Sequence, residues 1–451
     1  MGESPTRRAD AAAAAWWPWL LALAGFAFDV AAFWPGQMSF DSAYAWWQAR
    51  GGQTADVVPP ALVQVWRLCE AIRSGPGLVF ALHLVLFWSG LALFVRALRL
   101  RAAVALPVFL LVAFAPVPWL LRSHVWTDVG LFSALLLASG VLACVHAGAS
   151  RRWLVGALPP LFYAAALRHN ALPAVLPLAF WLAWLAQRGS PSASRANVAA
   201  IAAGLLAAML ATNHGLSRTV ERHVPMWPSL AQFDLVAVSI AADRLLLPDF
   251  LHEPGLEVGE LAATFRHWSN TPMFFGLRHG LREPFSIVPG SDEARTLRRA
   301  WMDAILGHPG AWLAHRWQLT RALFGTHAPD WPRELVYVDD EVPYRDNPPV
   351  ARNTSVLHAT LMRAAAALVA TPLLAAWPYA VLALVACALA WRRRFETRGA
   401  VALVLLASAA LFAAPLPLLA PAAELRYLGW PCVAALLAFV CVLAGPRTSA
   451  R

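Results

Sequence analysis

Two aspartates that follow the first apolar stretch of the chain are the residues best suited to chemistry. Asp41 and Ser42 come shortly after a Pro-Gly turn, and Asp56 stands just before a Pro-Pro pair. A carboxylate partly withdrawn from water at a membrane surface suits a general base or a metal ligand. Trp46 and Trp47 lie close to Asp41 in the sequence, and aromatic faces suit sugar rings or lipid tails.

Charged residues also stand at the ends of later apolar stretches. Asp128 opens one stretch, Arg168 separates two others, and Arg426 precedes the last. The guanidinium fork matches phosphate oxygens, so we interpret Arg168 and Arg426 as ligands of a phosphate or pyrophosphate. We expect Asp41, Asp56 and Asp128 to be catalytic. The candidates for substrate binding are Ser42, Trp46, Trp47, Arg122, His124, Arg168, Asn170, Arg426 and Tyr427.

Each of these residues also has a structural interpretation, and the sequence leaves both open. Asp41 and Ser42 could cap a helix over 43–50, and Asp128 could sit at the positive end of a helix dipole. Asp56 could be a turn residue. Arg426 could extend its side chain along apolar surface toward the membrane interface.

The elements that position these residues are apolar and long. Of the 451 residues, 59% are hydrophobic and 14% are charged, whereas soluble domains carry about 25% charged residues. Several runs reach the roughly 20 residues that cross a bilayer. The sequence therefore predicts an all-α polytopic membrane protein with about ten spans, at 12–34, 77–97, 103–121, 128–147, 153–167, 171–187, 197–213, 366–390, 399–418 and 428–445.

The arginines orient these spans. All 36 basic residues are arginines, and they cluster at alternate ends of the predicted spans. Cytoplasmic loops carry the excess of basic residues, so we expect both termini to be cytoplasmic and the candidate residues to share the outer face. The clusters are 7–8, 96–101, 151–152, 188–195, 392–398 and 447–451.

This orientation divides the chain into three predicted parts. Residues 1–213 form a transmembrane module whose first outer loop, 35–76, carries Asp41 and Asp56. Residues 214–365 are soluble in composition and contain a helical pattern over 293–324, so we expect a mostly helical extracytoplasmic domain. Residues 366–451 form a second transmembrane module with the last three spans.

Other functional classes lack their signatures. The formal charge of +10 follows the membrane topology, so we predict no nucleic-acid partner. Glycine-rich phosphate loops, GxSxG elbows and zinc-ligand spacings do not occur in the sequence. The five cysteines show no metal spacing, and we interpret them as free thiols.

The polar motifs together resemble the GT-C superfamily of polytopic membrane glycosyltransferases. The closest similarity is to a bacterial branch whose first outer loop carries Asp-Ser and then Asp-x-His-Pro. The residues that carry the resemblance are Asp41-Ser42, Asp56-Val57-Val58-Pro59-Pro60, Trp126-Thr127-Asp128, Arg168-His169-Asn170, Arg426-Tyr427 and the helix 304–316. Val58 stands where the branch usually has His, and Thr127 where it often has Lys.

The resemblance implies a specific reaction. Such enzymes transfer a sugar from a polyprenyl-phosphate carrier to a lipid, glycan or protein acceptor at the outer face of the inner (cytoplasmic) membrane, with inversion. Asp41 would be the general base, and Asp56 and Asp128 would assist. Arg168 and Arg426 would hold the carrier phosphate. A divalent cation such as Mg²⁺ or Mn²⁺ is the one cofactor the resemblance suggests, with Asp41 and Asp128 as its ligands.

Two other functions stay open at this point. A transporter of lipid-linked glycans would show charged pairs near mid-span and two similar halves, and the sequence has no internal repeat. A non-catalytic envelope-assembly subunit would use the outer domain as a binding module and would not need Asp41.

Overall fold

The computed structural model describes residues 5–168, 170–191, 193–274, 277–326, 343–369 and 371–444, with side chains from residue 16. Within these residues the chain is helical and contains no β-strand. The first ten α-helices are α1 (Pro5–Phe33), α2 (Phe40–Ala49), α3 (Pro60–Ile72), α4 (Gly77–Leu98), α5 (Ala102–Ala113), α6 (Pro116–Arg122), α7 (Thr127–His146), α8 (Leu158–Leu167), α9 (Leu172–Gln187) and α10 (Arg195–Ser217).

Nine further α-helices complete the described chain. They are α11 (Trp227–Ala241), α12 (Val258–Thr264), α13 (Asp292–Gly307), α14 (Pro309–Leu323), α15 (Val356–Val369), α16 (Trp377–Arg392), α17 (Thr397–Ala413), α18 (Leu416–Leu419) and α19 (Gly429–Leu443). Short 3₁₀ helices occur at Arg151–Ala157, Asp249–Leu251, Pro272–Phe274, Pro284–Ser286, Pro372–Leu374 and Leu425–Leu428.

Among the described residues, six helical segments are long and apolar enough to cross a bilayer, which makes the chain a helical membrane protein. They are Trp16–Phe33, Gly77–Leu98, Thr127–His146, Arg195–Ser217, Thr397–Leu419 and Leu425–Leu443. The pair α5 and α6 makes a seventh if it is one span bent by 58°. Three shorter apolar helices, α9, α15 and α16, accompany them. The sequence-based number of about ten exceeds this count.

Breaks between helices account for the predicted spans that differ. The span expected at 366–390 is wrong, because α15 ends at Val369 and α16 begins only at Trp377. Pro372 between them lacks an N–H, and Thr371 before it is extended (φ −110°, ψ 158°). The span expected at 153–167 is likewise not one α-helix, because a 3₁₀ helix over Arg151–Ala157 precedes the ten residues of α8.

Helix α7 forms the centre of the bundle, since 89% of its span is buried. It packs closely against α4 at Gly90 and Gly140. A Cβ on Gly140 would lie 2.6 Å from the Gly90 carbonyl oxygen, so only small residues permit this approach. Its 20 residues extend about 30 Å, the thickness of a hydrocarbon core. Asp128 in its first turn therefore lies one membrane thickness from His146 in its last.

Arginines of three predicted clusters, 96–101, 188–195 and 392–398, meet at the His146 end of α7, whereas the cluster 447–451 and the side chains of 7–8 lie outside what the structure describes. Arg99 Nη2 donates to the Ala147 carbonyl at 2.8 Å, and Arg188 Nη1 donates to the His146 carbonyl at 3.5 Å. Arg393 Nη1 donates to the Val442 carbonyl at 2.7 Å, and Arg398 Nη2 to the Leu98 carbonyl at 2.5 Å. These arginines bind carbonyls at or near helix C-termini, where the helix dipole favours a cation. One end of the bundle is therefore basic, and the candidate residues on α7 are at the other.

The segment between α10 and α15 has its own polar core. Asp234 of α11 is buried and accepts hydrogen bonds from Trp301 Nε1 at 2.9 Å and Trp312 Nε1 at 3.1 Å. Arg316 Nη2 lies 2.5 Å from the same carboxylate, and Arg316 Nη1 donates to the Ala420 carbonyl at 2.8 Å. Arg316 therefore joins this core to the chain between α18 and α19.

Candidate functional site

Asp41 lies in the first turn of α2, which begins one residue earlier at Phe40. The N-cap position belongs to Ser39, so the expectation that Asp41 and Ser42 cap a helix over 43–50 is wrong. The side chain of Asp41 is 57% exposed. One oxygen, Oδ2, lies 2.6 Å from Nη1 of Arg426.

Arg426 is held in the 3₁₀ turn Leu425–Leu428 that leads into α19. Its side chain is only 10% exposed, although it carries a full charge. Two carboxylates surround it, because Nε also binds Glu424. The guanidinium carbon lies 5.1 Å from the centroid of the Trp126 ring, a cation–π distance. Arg426 thus links α2, the start of α7 and the start of α19.

A second ion pair lies next to the first. Arg168, at the C-terminal end of α8, binds Asp128 through Nη1. Asp128 stands in the first turn of α7 and its side chain is 3% exposed. The N-cap position here is Trp126, so Asp128 is not the cap residue. Burial lowers the pKa of the Arg168 guanidinium from its ordinary value, and Tyr427 and Glu424 act in the opposite direction.

Tyr427 connects the two ion pairs into one cluster. Its ring centroid lies 4.8 Å from the guanidinium carbon of Arg168 and 5.6 Å from that of Arg426. We call Asp41, Asp128, Arg168, Glu424 and Arg426, together with the Tyr427 ring between them, the ion-pair cluster. Five elements, α2, α7, α8, the Leu425–Leu428 turn and its preceding loop, supply its members.

The start of α2 is fixed against the start of α7 by a short backbone bridge. The Gln37 N–H donates to the Ser123 carbonyl at 2.9 Å, and the Val125 N–H donates to the Gln37 carbonyl at 2.9 Å. Gly36 permits this approach, because it has φ +99° and a Cβ there would lie 2.6 Å from Val125 Cγ2. The Trp126 indole then donates to Ser39 Oγ at 2.8 Å, which orients the ring beside Arg426.

The charge balance of the cluster determines how an anion would enter. Three carboxylates face two guanidinium groups. The side chains of Glu424 and Asp128 are 14% and 3% exposed, so Asp41 at 57% is the most accessible carboxylate. A phosphate approaching Arg426 therefore exchanges most readily with Asp41.

The residues present do not fit the divalent cation that the resemblance suggests. Asp41 and Asp128 each have an arginine partner. In the part of the chain that the structure describes, there is no group of three or more His, Cys, Asp or Glu side chains that could hold a metal ion.

Asp56 has a different environment from the cluster. Its Oδ1 accepts the Val224 N–H at 2.6 Å, and its Oδ2 lies 2.9 Å from His223 Nδ1. Arg222 donates its N–H to the Thr54 carbonyl at 3.0 Å. Asp56 thus ties the chain between α2 and α3 to the chain after α10, and these contacts support a structural role instead of the predicted catalytic one.

Three more predicted substrate ligands of the first loop make structural contacts. Ser42 is buried, and its hydroxyl donates to the Val125 carbonyl at 2.6 Å. The indole of Trp46, also buried, donates to Glu70 of α3 at 2.9 Å. Trp47 stacks on Tyr44, and its ring lies 4.3 Å from the Arg345 guanidinium carbon. These contacts hold α2 against α3 and the chain before α15.

Arg122 is separated from the cluster by its own buried partner. Its Nε and Nη2 bind the two oxygens of Asp29 at 2.6 and 3.2 Å, and its Nη1 donates to the Ala113 carbonyl at 2.8 Å. Trp88 Nε1 also donates to Asp29 at 2.8 Å. The guanidinium of Arg122 is thus engaged on all three nitrogens, and the geometry does not support the predicted substrate contact.

The remaining predicted ligands lie near the cluster. His124 is buried and stacks on Trp126, with ring centroids 4.0 Å apart, so it supports the indole that faces Arg426. Asn170 lies in the turn between α8 and α9, close to Arg168 in the chain. His169, part of the same motif, lies outside the described residues.

Two residues contact Arg426 but were not among the site residues predicted from the sequence. Glu424 binds Arg426 from two positions away, and Trp126 faces the same guanidinium from two positions before Asp128. Glu424 lies two residues before Arg426, a predicted ligand, so its position was a usable signal. Trp126 was recognised only as part of the motif that ends at Asp128, and the fold shows that its ring faces Arg426.

Comparison with protein-family models, with curated proteins and with solved structures found no match.

Proposed function

We propose that this chain is an integral membrane glycosyltransferase of GT-C-like architecture that transfers a sugar from a polyprenyl-phosphate donor to an acceptor hydroxyl. The observation that supports the proposal is the ion pair between Asp41 and Arg426. It joins an accessible carboxylate, which can act as a base, to a nearly buried guanidinium, which can bind phosphate.

The base has room to reach an acceptor. Asp41 is more than half exposed, and α2 holds it at the end of the bundle opposite the basic helix ends. A hydroxyl that donates to the carboxylate loses its proton to it as the oxygen attacks the anomeric carbon. General base catalysis of this kind contributes about 10²–10⁴-fold in rate.

The arginines serve the leaving group. As the new C–O bond forms, the bond between the anomeric carbon and the phosphate oxygen breaks, and the electron pair leaves with the polyprenyl phosphate. The guanidinium carbons of Arg168 and Arg426 lie 4.8 and 5.6 Å from the centroid of the Tyr427 ring, so one phosphate beside the ring can contact both. Guanidinium groups already fixed by carboxylates stabilise the growing charge without reorganisation.

The resting ion pair has a role in this sequence. A bound phosphate takes the place of Asp41 at Arg426, which releases the carboxylate for the acceptor. Donor binding thereby prepares the base. We place the site at the outer face of the inner (cytoplasmic) membrane, because the arginine clusters gather at the opposite end of the bundle.

A transfer assay tests the proposal. The purified full chain in lipid nanodiscs is given a panel of mass-tagged polyprenyl-phosphate sugars with an extract of envelope lipids and glycans as acceptors. We expect transfer by the natural chain and a loss of about 10²-fold or more for Asp41→Asn. Asp346→Asn is the matched control, since this carboxylate is 76% exposed and pairs with Arg50 at the surface.

The other outcomes identify the alternatives. Transfer that is equal in the natural chain and Asp41→Asn contradicts Asp41 as the base. Movement of the intact donor across the bilayer, without transfer, would identify a transporter. No activity with any donor, in a chain that still binds an envelope protein, would identify an assembly subunit.

A further inference from the structure

Helix α14 bears an exposed apolar stripe although it belongs to a segment of soluble composition. Leu313 and Trp317 are 55% and 64% exposed. They are four residues apart, so they lie one above the other on the helix. The opposite side of α14 is packed, because His315, Arg316 and Leu319 are buried. The stripe is thus an exposed apolar face on a helix whose opposite side is packed.

Two contacts fix α14 relative to the membrane-crossing helices. Arg316 Nη1 donates to the Ala420 carbonyl at 2.8 Å, just beyond the span Thr397–Leu419. Near the C-terminal end of α14, the Phe324 carbonyl accepts the N–H of Trp377, the first residue of α16, at 2.9 Å. Helix α16 ends at Arg392 and helix α17 begins at Thr397, both on the basic side of the bundle. Trp377 and Ala420 therefore share the other side.

These two contacts give α14 its direction. Arg316 and Phe324 are separated by roughly 12 Å along a helix, at 1.5 Å per residue. Neighbouring helices pack about 8–10 Å apart. Helix α14 therefore reaches from the end of the span Thr397–Leu419 to the start of α16, which favours an orientation along the membrane surface.

The span that packs against α14 also exposes apolar residues at its end. Helix α14 packs against α18, the last turn of the span Thr397–Leu419. Leu418 and Leu419 of α18 are 48% and 58% exposed. Leu313 lies three residues before Arg316 and therefore neighbours it on the helix surface, which puts the stripe beside the face of α14 that reaches Ala420.

We propose that α14 is an interfacial helix whose Leu313–Trp317 stripe is embedded in the outer leaflet of the bilayer that holds the spans. Tryptophan suits this depth, because its ring is apolar and its N–H reaches the headgroups. Arg321, exposed in the last turn of α14, can extend to lipid phosphates. Because Arg316 binds the chain that leads to Glu424 and Arg426, the embedded helix also fixes the depth of the ion-pair cluster.

Fluorescence quenching in nanodiscs tests this placement. Bimane is attached to Trp317→Cys in the full chain carrying Cys69→Ser and Cys387→Ser, within a bilayer of phosphatidylcholine and phosphatidylglycerol. The quenchers are a lipid with a doxyl group near its headgroup and aqueous iodide. Gln318→Cys is the matched control, since Gln318 is the exposed neighbour on the polar side of α14.

The expected result is a ratio of doxyl to iodide quenching that is severalfold higher at position 317 than at position 318. Leu313→Cys provides a second site on the stripe and should behave like position 317. Equal ratios at 317 and 318 overturn the proposal, because the stripe then faces water. Protection of 317 from both quenchers also overturns it, because a protein then covers the stripe.

Discussion

Arg426 Nη1 lies 2.6 Å from Asp41 Oδ2, although the two residues are near opposite ends of the chain. The contact joins α2 to the turn that leads into the last helix. Around it, Trp126, Glu424 and Tyr427 bring the guanidinium into a nearly buried position. A single carboxylate, that of Asp41, remains accessible in this setting.

The placement of this contact predicts the accessibility of the two bundle ends. Ser74 precedes α4 at the end that carries Asp41, and Ser150 follows α7 at the basic end. In intact cells, a membrane-impermeant maleimide should label Ser74→Cys and not Ser150→Cys, in a chain that carries Cys69→Ser and Cys387→Ser. After the cells are broken, both should react. Labelling of Ser150→Cys in intact cells would place the site in the cytoplasm.

Part of this arrangement was accessible from the sequence. Apolar runs of about 20 residues predicted Gly77–Leu98 and Thr127–His146 with small errors, because span length is set by bilayer thickness. Breaks caused by proline were harder to place, since Pro372 ends one helix whereas Pro18 and Pro107 lie within helices. The packing of neighbours decides between these outcomes.

The side-chain partners were mostly beyond sequence analysis. The motifs located Asp41, Asp128, Arg168 and Arg426, but only the packing of α2, α7, α8 and α19 shows which acid meets which arginine. Arg122 also stands at the end of an apolar stretch, as these residues do, yet it pairs with Asp29. An ion pair between distant helices has no local sequence signal.

The Asp29–Arg122 pair should contribute strongly to stability. Both side chains are at most 2% exposed, and removing one partner of a buried pair costs about 3–5 kcal/mol because the other charge stays unpaired. We expect Asp29→Ala and Arg122→Ala each to lower the free energy of unfolding in detergent by about this amount. The double variant should lose less than the sum of the two.

An exposed ion pair is the control for that measurement. Arg50 Nη1 lies 3.7 Å from Asp346 Oδ2, with side chains 25% and 76% exposed. Asp346→Ala should lower the free energy of unfolding by about 0–1 kcal/mol. If Asp29→Ala costs no more than Asp346→Ala, the buried pair does not hold α1 to α6 as described.

Acid should destabilise the polar core around α14. Burial lowers the pKa of His315 well below 6.5, with further contributions from Arg316 and His267, and burial also lowers the pKa of His267. In the unfolded chain both histidines take up protons near pH 6.5. The unfolded state therefore binds more protons below that pH, and stability is lost as the pH falls, by up to about 1.4 kcal/mol per pH unit for each histidine.

Thermal unfolding midpoints in detergent measure this effect. They are compared between pH 7.5 and pH 5.5, a window of about one unit on either side of the histidine pKa in the unfolded chain. The midpoint should fall toward acid, and His315→Gln should show a shallower decline because glutamine does not titrate. A slope unchanged in His315→Gln would show that other groups cause the acid sensitivity.

The most direct test of the account measures donor binding and sugar transfer side by side in Asp41→Asn and Arg426→Gln. With a fluorescent polyprenyl-phosphate sugar and the chain in nanodiscs, Asp41→Asn should bind the donor at least as tightly as the natural chain, because phosphate no longer competes with a carboxylate. It should lose single-turnover transfer by about 10²-fold or more. Arg426→Gln should lose donor affinity. Donor binding that is unaffected in Arg426→Gln, together with full transfer by Asp41→Asn, would contradict the assignment of this ion pair as the active centre.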